Sequence, residues 1–81
     1  MFHVLILNSR YKGREIILFE GRASAVLLPG KDGEFEILDF HKPLISALKK
    51  GLLLVDNEKE YLIQGGVAKM SRQSLVAVVD L

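Results

Sequence analysis

Apolar residues along this chain come in short runs rich in Val, Ile and Leu: FHVLIL, REIILFE, ASAVLL, FEIL, PLISAL, GLLLV, EYLIQ, GVAKM and SLVAVV. Each stops within a handful of residues at Gly, Pro, Asn, Asp or Lys. Short runs broken by turn signals every ~8–12 residues point to a sandwich or barrel rather than to helices. The pattern predicts an all-β, two-sheet sandwich of about nine or ten short strands, in a single domain spanning 1–81. In FEIL, Glu34 and Glu36 fall on one face and Phe35 and Ile37 on the other, because a strand alternates its side chains. Val78 in the last run is assigned to the core. VDNEKEY reads as a hairpin in which Asp56 and Asn57 fold the backbone onto their own side chains. QGGV puts Gly65 and Gly66 inside a strand-like run, the mark of a tight turn or bulge.

One stretch breaks this rhythm. Leu44, Ala47 and Leu48 recur at helical spacing within residues 43–50. Two turns are too few for an independent helix, so this stretch is read as a loop with at most one helical turn. No internal repeat, low-complexity segment or linker interrupts the chain.

Composition narrows the function. Hydrophobic residues make up 49% of the 81, enough for a core. Charged residues make up 26%, almost balanced at a net of +1. That balance argues against a nucleic-acid binder, which carries a strong basic excess, and against a polybasic membrane anchor. With no cysteine there is no disulfide framework, thiol nucleophile or cysteine-ligated zinc. No apolar run reaches the ~20 residues of a spanning helix, and the first ten residues lack the basic start and small-residue cleavage site of a signal peptide. The expectation is a soluble chain without direct membrane insertion.

The stretch PGKDGEFEILDFHKP holds most of the candidate chemistry. As a phosphate cradle it fails: Gly30-Lys31 is followed by Asp32 instead of Ser or Thr, and a strand follows where a helix N-terminus is needed. As a calcium loop it lacks the EF-hand spacing, although Asp32, Glu34, Glu36 and Asp39 lie close together. His3 and His41 alone make no ligand set. A Ser-His-Asp assembly built on His41 and Asp39 lacks a nucleophile elbow and room for a closed pocket. The expectation is therefore no catalytic residue, no metal, no cofactor and no small-molecule substrate. What remains is a stiff binding module with a charged, glycine-bounded loop. His41 is read as a partly buried residue bonded to a loop, and Pro43 as fixing the path of the chain into LISAL.

Gly30-x-x-Gly33-Glu34-Phe35, Ile37, and His41-x-Pro43-Leu44-Ile45-x-Ala47-Leu48-Lys49-x-Gly51 together resemble the signature of the epsilon subunit of F-type ATP synthases. EGRASAVLLPG matches the strand before that signature, and YLIQGGVAKMSRQSLVAVV the family's closing strands. The resemblance runs from about Phe2 to Asp80. Glu36 and Asp39-Phe40 stand where the family has glycine and Pro-Gly, so a different loop backbone is expected there. Lys50 stands where a proline is common, Gln64 replaces the usual serine, and the first hairpin, Asn8 to Gly21, is several residues longer.

The resemblance implies a non-catalytic rotor subunit in the central stalk, binding the gamma subunit and resting on the c ring. It would help couple proton or sodium flow to ATP synthesis at the cytoplasmic face of the bacterial inner membrane, or an organellar equivalent. Carried over by position, Lys31, Asp32 and Glu34 face the c ring, with Glu34 paired to a ring arginine, while His41, Ser46 and Asn8 face gamma. The family's C-terminal helical pair, tied to inhibition and ATP binding, has no matching residues here, so those activities are not carried over. The alternative expectation is a diverged β-sandwich adaptor or homodimer working through an edge strand.

Overall fold

The computed structural model describes residues 1–9 and 15–81; residues 10–14, and with them the extra length expected between Asn8 and Gly21, lie outside the described residues. Nine strands account for nearly all of the described chain: β1 (Phe2–Ser9), β2 (Glu15–Ala23), β3 (Ala25–Gly30), β4 (Gly33–Leu38), β5 (Leu44–Leu48), β6 (Gly51–Val55), β7 (Lys59–Ile63), β8 (Gly65–Ser71) and β9 (Ser74–Asp80). The all-β expectation holds. Residues 43–50 differ from it, because they contain strand β5 and no helical turn. Leu44, Ser46 and Leu48 turn toward the core while Ile45 and Ala47 face outward, a period of two that Ser46 conceals in the sequence.

The strands form one hydrogen-bonded sheet in the order β2-β1-β9-β8-β5-β3-β6-β7, with β4 on the other edge of β3. It nevertheless behaves as two layers. β2-β1-β9-β8-β5 make one half and β4-β3-β6-β7 the other, joined through the single residue pair Gly30↔Leu48. β1 and β9 pair in parallel, from His3↔Ser74 to Asn8↔Val79, and the other ladders are antiparallel.

Both layers feed one core. Phe2, Val4, Ile6, Leu75, Ala77 and Val79 from the first half belong to the same buried cluster as Val26, Leu28, Ile37, Leu53 and Ile63 from the second. Val78 is not among them. It is half-buried on the outer face, and Val79 takes the core position instead. The Tyr61 hydroxyl donates to the Leu18 carbonyl at 3.2 Å, tying β7 to β2 across the layers. Leu18 is the extra residue of a bulge, since Ile6 pairs with Phe19 and Leu7 with Ile17.

Turns behave partly as read. Asp56 and Asn57 take φ of 53° and 56° in the β6–β7 turn. The Asp56 carboxylate does not fold onto its own turn, however. It accepts from the amides of Ser24 and Ala25, both at 2.9 Å, and so staples the β2–β3 bend. Gly66 sits where β8 crosses β9: a Cβ there would lie against the Val78 carbonyl and 2.9 Å from the Val79 Cα, so only glycine fits.

Candidate functional site

Lys31 and Asp32 form the two-residue turn between the paired residues Gly30 and Gly33, and Glu34 follows on β4, opposite Pro29. All three side chains are exposed, and none takes part in an ion pair among the described residues. The turn is held firmly. The Lys31 amide donates to the Ala47 carbonyl at 3.0 Å and the Lys49 amide to the Pro29 carbonyl at 2.8 Å, which pins the hairpin to the end of β5. Gly30 lets the hairpin itself close, since a Cβ there would lie 2.7 Å from the Gly33 carbonyl oxygen and 2.8 Å from the Phe35 ring on β4. Phe35 packs on the core and Ile37 is buried, so Glu34 and Glu36 project outward as their spacing predicts.

His41, Ser46 and Asn8 do not form one cluster. His41 lies before the start of β5, at the opposite end from the Lys31 turn, half-buried, its Nδ1 donating to the Lys42 carbonyl at 2.8 Å. Ser46 lies mid-strand on the core-facing side of β5, half-buried, its hydroxyl donating to the Ala47 carbonyl at 3.2 Å. Asn8 is on β1, separated from β5 by β9 and β8, or ~14 Å at normal strand spacing. It follows Phe2, Val4 and Ile6 on the inner face and is 4% exposed, with its side-chain carbonyl oxygen unpartnered among the described residues. Ser46 and Asn8 thus both turn inward, on different strands, while His41 precedes β5.

Asp39 is engaged elsewhere than with His41. Its Oδ1 lies 2.8 Å from the Met1 ammonium and accepts from Gln73 Nε2 at 3.1 Å. The hydrogen bond from that ammonium, aided by Gln73, holds the Asp39 carboxyl below the usual carboxylate range against a smaller opposing effect of desolvation. The other end of Gln73 accepts the Phe40 amide at 2.6 Å. With the His41 ring turned to a backbone carbonyl, no acid–base relay is assembled here.

Ladder register exposes a surface that the sequence reading did not single out. Ile17, Leu7, Val78, Val67 and Ala47 are neighbours in register across β2, β1, β9, β8 and β5, all on the outer face. Ile17 is 57% and Val67 49% exposed, so an apolar row crosses the whole layer. The signal was present as apolar residues on both faces of β1 and β9, but only the register joins them.

A family model described as the ATP synthase delta/epsilon chain β-sandwich domain matches residues 14–80. The chain belongs to that family. It is 30% identical over 70 residues to the ATP synthase epsilon chain of Rhodopseudomonas palustris strain TIE-1, covering 83% of this chain and 52% of the relative. It is also 30% identical over 78 residues to the Parvibaculum lavamentivorans epsilon chain, covering 91% and 59%. The chain therefore spans little more than half the length of these curated relatives. Its fold resembles a chain in the Tetrahymena thermophila mitochondrial ATP synthase central stalk and c-ring structure, with a TM-score of 0.72 at 15% identity over 98% of this chain and 63% of that one. A chain of the Euglena gracilis mitochondrial ATP synthase gives 0.73 at 23% identity, over 98% and 51%.

Within this delta/epsilon family the chain's own substitutions are accommodated in two ways. Glu36 lies in regular strand, paired with Leu27. Phe40 takes a φ of 63°, the left-handed conformation that glycine favours. Holding a non-glycine residue there costs ~1–2 kcal/mol, and the Phe40 amide bond to Gln73 offsets part of it. The Phe40 side chain is 86% exposed.

Proposed function

We propose that this domain is a non-catalytic rotor part of an F-type ATP synthase, fastening the gamma subunit to the c ring and helping couple proton or sodium flow to ATP synthesis. The observation carrying this reading is the family match over residues 14–80. In this reading the complex sits at the cytoplasmic face of a bacterial inner membrane or its organellar equivalent, and the domain works by contact alone. Among the described residues no helix is long and apolar enough to cross a membrane, which suits a peripheral role. Geometry supports a two-sided clamp. The Lys31 turn and His41 lie at opposite ends of β5, and the Lys31 turn is rigidly bonded to that strand. Lys31, Asp32 and Glu34 then meet the ring, with Glu34 paired to a ring arginine, while His41 and Ser46 meet gamma. Asn8 would act from inside the layer, by shaping the end of β1.

Two binding titrations test this, first against the purified gamma subunit of the same organism and then against the c ring. Saturable one-to-one binding to gamma, weakened by substitution at His41 or Ser46, is expected. Glu34→Lys should leave thermal unfolding unchanged, because Glu34 is exposed. It should weaken ring binding by the worth of a rim ion pair, ~0–1 kcal/mol, plus the new repulsion. Undiminished ring binding by Glu34→Lys would remove the loop assignment, and a folded sample that ignores gamma would remove the rotor role.

A further inference from the structure

Ladder register sets the outer face of the β2-β1-β9-β8 layer in rows. The apolar row Ile17, Leu7, Val78 and Val67 runs across these four strands. The next row toward the start of β1 reads Glu20, Leu5, Val76 and Lys69 in the same strand order. It has an acid at one end, a base at the other and two apolar residues between them. Glu20 and Lys69 are both exposed and lie three strands apart, ~14 Å at normal spacing, too far to pair across the face of one chain. Glu20 lies 3.9 Å from the His3 ring, and Lys69 forms no ion pair among the described residues.

A row that is acidic at one end and basic at the other complements itself when turned round. A two-fold axis parallel to the strands, passing between β1 and β9, reverses strand order and leaves height along the strands unchanged. It would bring Glu20 of one copy against Lys69 of the other, twice by symmetry. Leu5 would meet Val76, Leu7 would meet Val78 and Ile17 would meet Val67. One row further, Arg22 and His3 would meet Ser71 and Ser74, so no like charges are opposed. The opposite layer does not match itself in this way. Its outer row across β4, β3, β6 and β7 reads Glu36, Leu27, Leu54 and Glu60, and turning it round sets acid against acid.

We infer that the chain pairs with a second copy of itself through the outer face of this layer, sheet against sheet, with two Glu20–Lys69 ion pairs bracketing an apolar centre. Sheets stack in this manner ~10 Å apart with their strands nearly aligned. The apolar rows supply the attraction and the charges fix the register. Four strands at ~4.8 Å by three rows at ~7 Å give about 400 Å² of face per copy. That is the low end for a specific contact, so the dimer is weak and forms as concentration rises. No strand edge takes part, and the pairing is a property of the chain alone that does not rest on the rotor reading.

Sedimentation equilibrium of the chain alone, from micromolar to millimolar concentration, tests this with three charge variants. The unsubstituted chain should pass from monomer to dimer within that range. Glu20→Lys and Lys69→Glu each oppose like charges twice, and each should weaken dimerisation about tenfold or more. Both side chains are exposed, so circular dichroism and melting temperature should stay as they are. The double variant sets opposite charges face to face again and should restore the dimer. A chain that stays monomeric at millimolar concentration overturns the inference and leaves the face to a different protein. A dimer that the single substitutions leave intact, or that the double variant fails to restore, overturns it as well, since the contact then lies elsewhere.

Discussion

Asp39 shows how little of a residue's role its neighbours in sequence disclose. Beside His41 it suggests acid–base chemistry, yet its carboxylate binds the Met1 ammonium and Gln73, thirty-four residues away. Such long-range partners are set by how strands align, and no local spacing encodes them. Because these contacts hold the Asp39 pKa below its unfolded value of about 4, its contribution to stability is present above that value and is lost as pH falls through the lower, folded one. Asp39→Asn should therefore lower thermal stability at neutral pH and flatten the acid limb of a melting-temperature profile. An unchanged acid limb would show that the ammonium contact is not made in solution. Asp56 repeats the lesson: its turn position was legible, but its bonds to Ser24 and Ala25 were not.

Strand positions were legible wherever the two faces differ in polarity. GEFEIL shows this well, with its acids outside and Phe35 and Ile37 inside. SLVAVVD does not, because both faces of β9 are apolar and the phase of burial cannot be read from the run itself. Phase is decided instead by the ladder partners, Ile6↔Ala77 and Asn8↔Val79. Val79→Asp should abolish cooperative unfolding, since it forces an unpaired carboxylate into the core at 0% exposure. Val78→Asp should fold and lose only about 1–2 kcal/mol in denaturant titration. The reverse order would show that the strand's phase is wrong. β5 escaped the sequence reading for a related reason. A serine on its inner face and an isoleucine on its outer face invert the usual polarity, leaving an accidental helical spacing as the stronger signal. The candidate site shares that fate: the Lys31 turn was legible from its glycines, while the outer apolar row exists only once the ladders set Ile17, Leu7, Val78, Val67 and Ala47 side by side.

At the scale of the molecule, the two layers meet through backbone at one corner and through the Tyr61–Leu18 bond on the far side. Tyr61→Phe removes that bond without opening a cavity and should cost ~0.5–1.5 kcal/mol in chemical denaturation. A change within error would mean that water already satisfies the Leu18 carbonyl. The parallel pairing of β1 with β9 has a consequence in time. β1 needs β9 along one flank, and β9 is the last of the nine described strands to be synthesised. At about 5–20 residues per second, the first strand waits for seconds with that flank unpaired. Folding of this domain can therefore be completed only after β9 has emerged from the ribosome, and a nascent chain interrupted before Ser74 holds a β1–β2 hairpin with one flank of β1 unpaired.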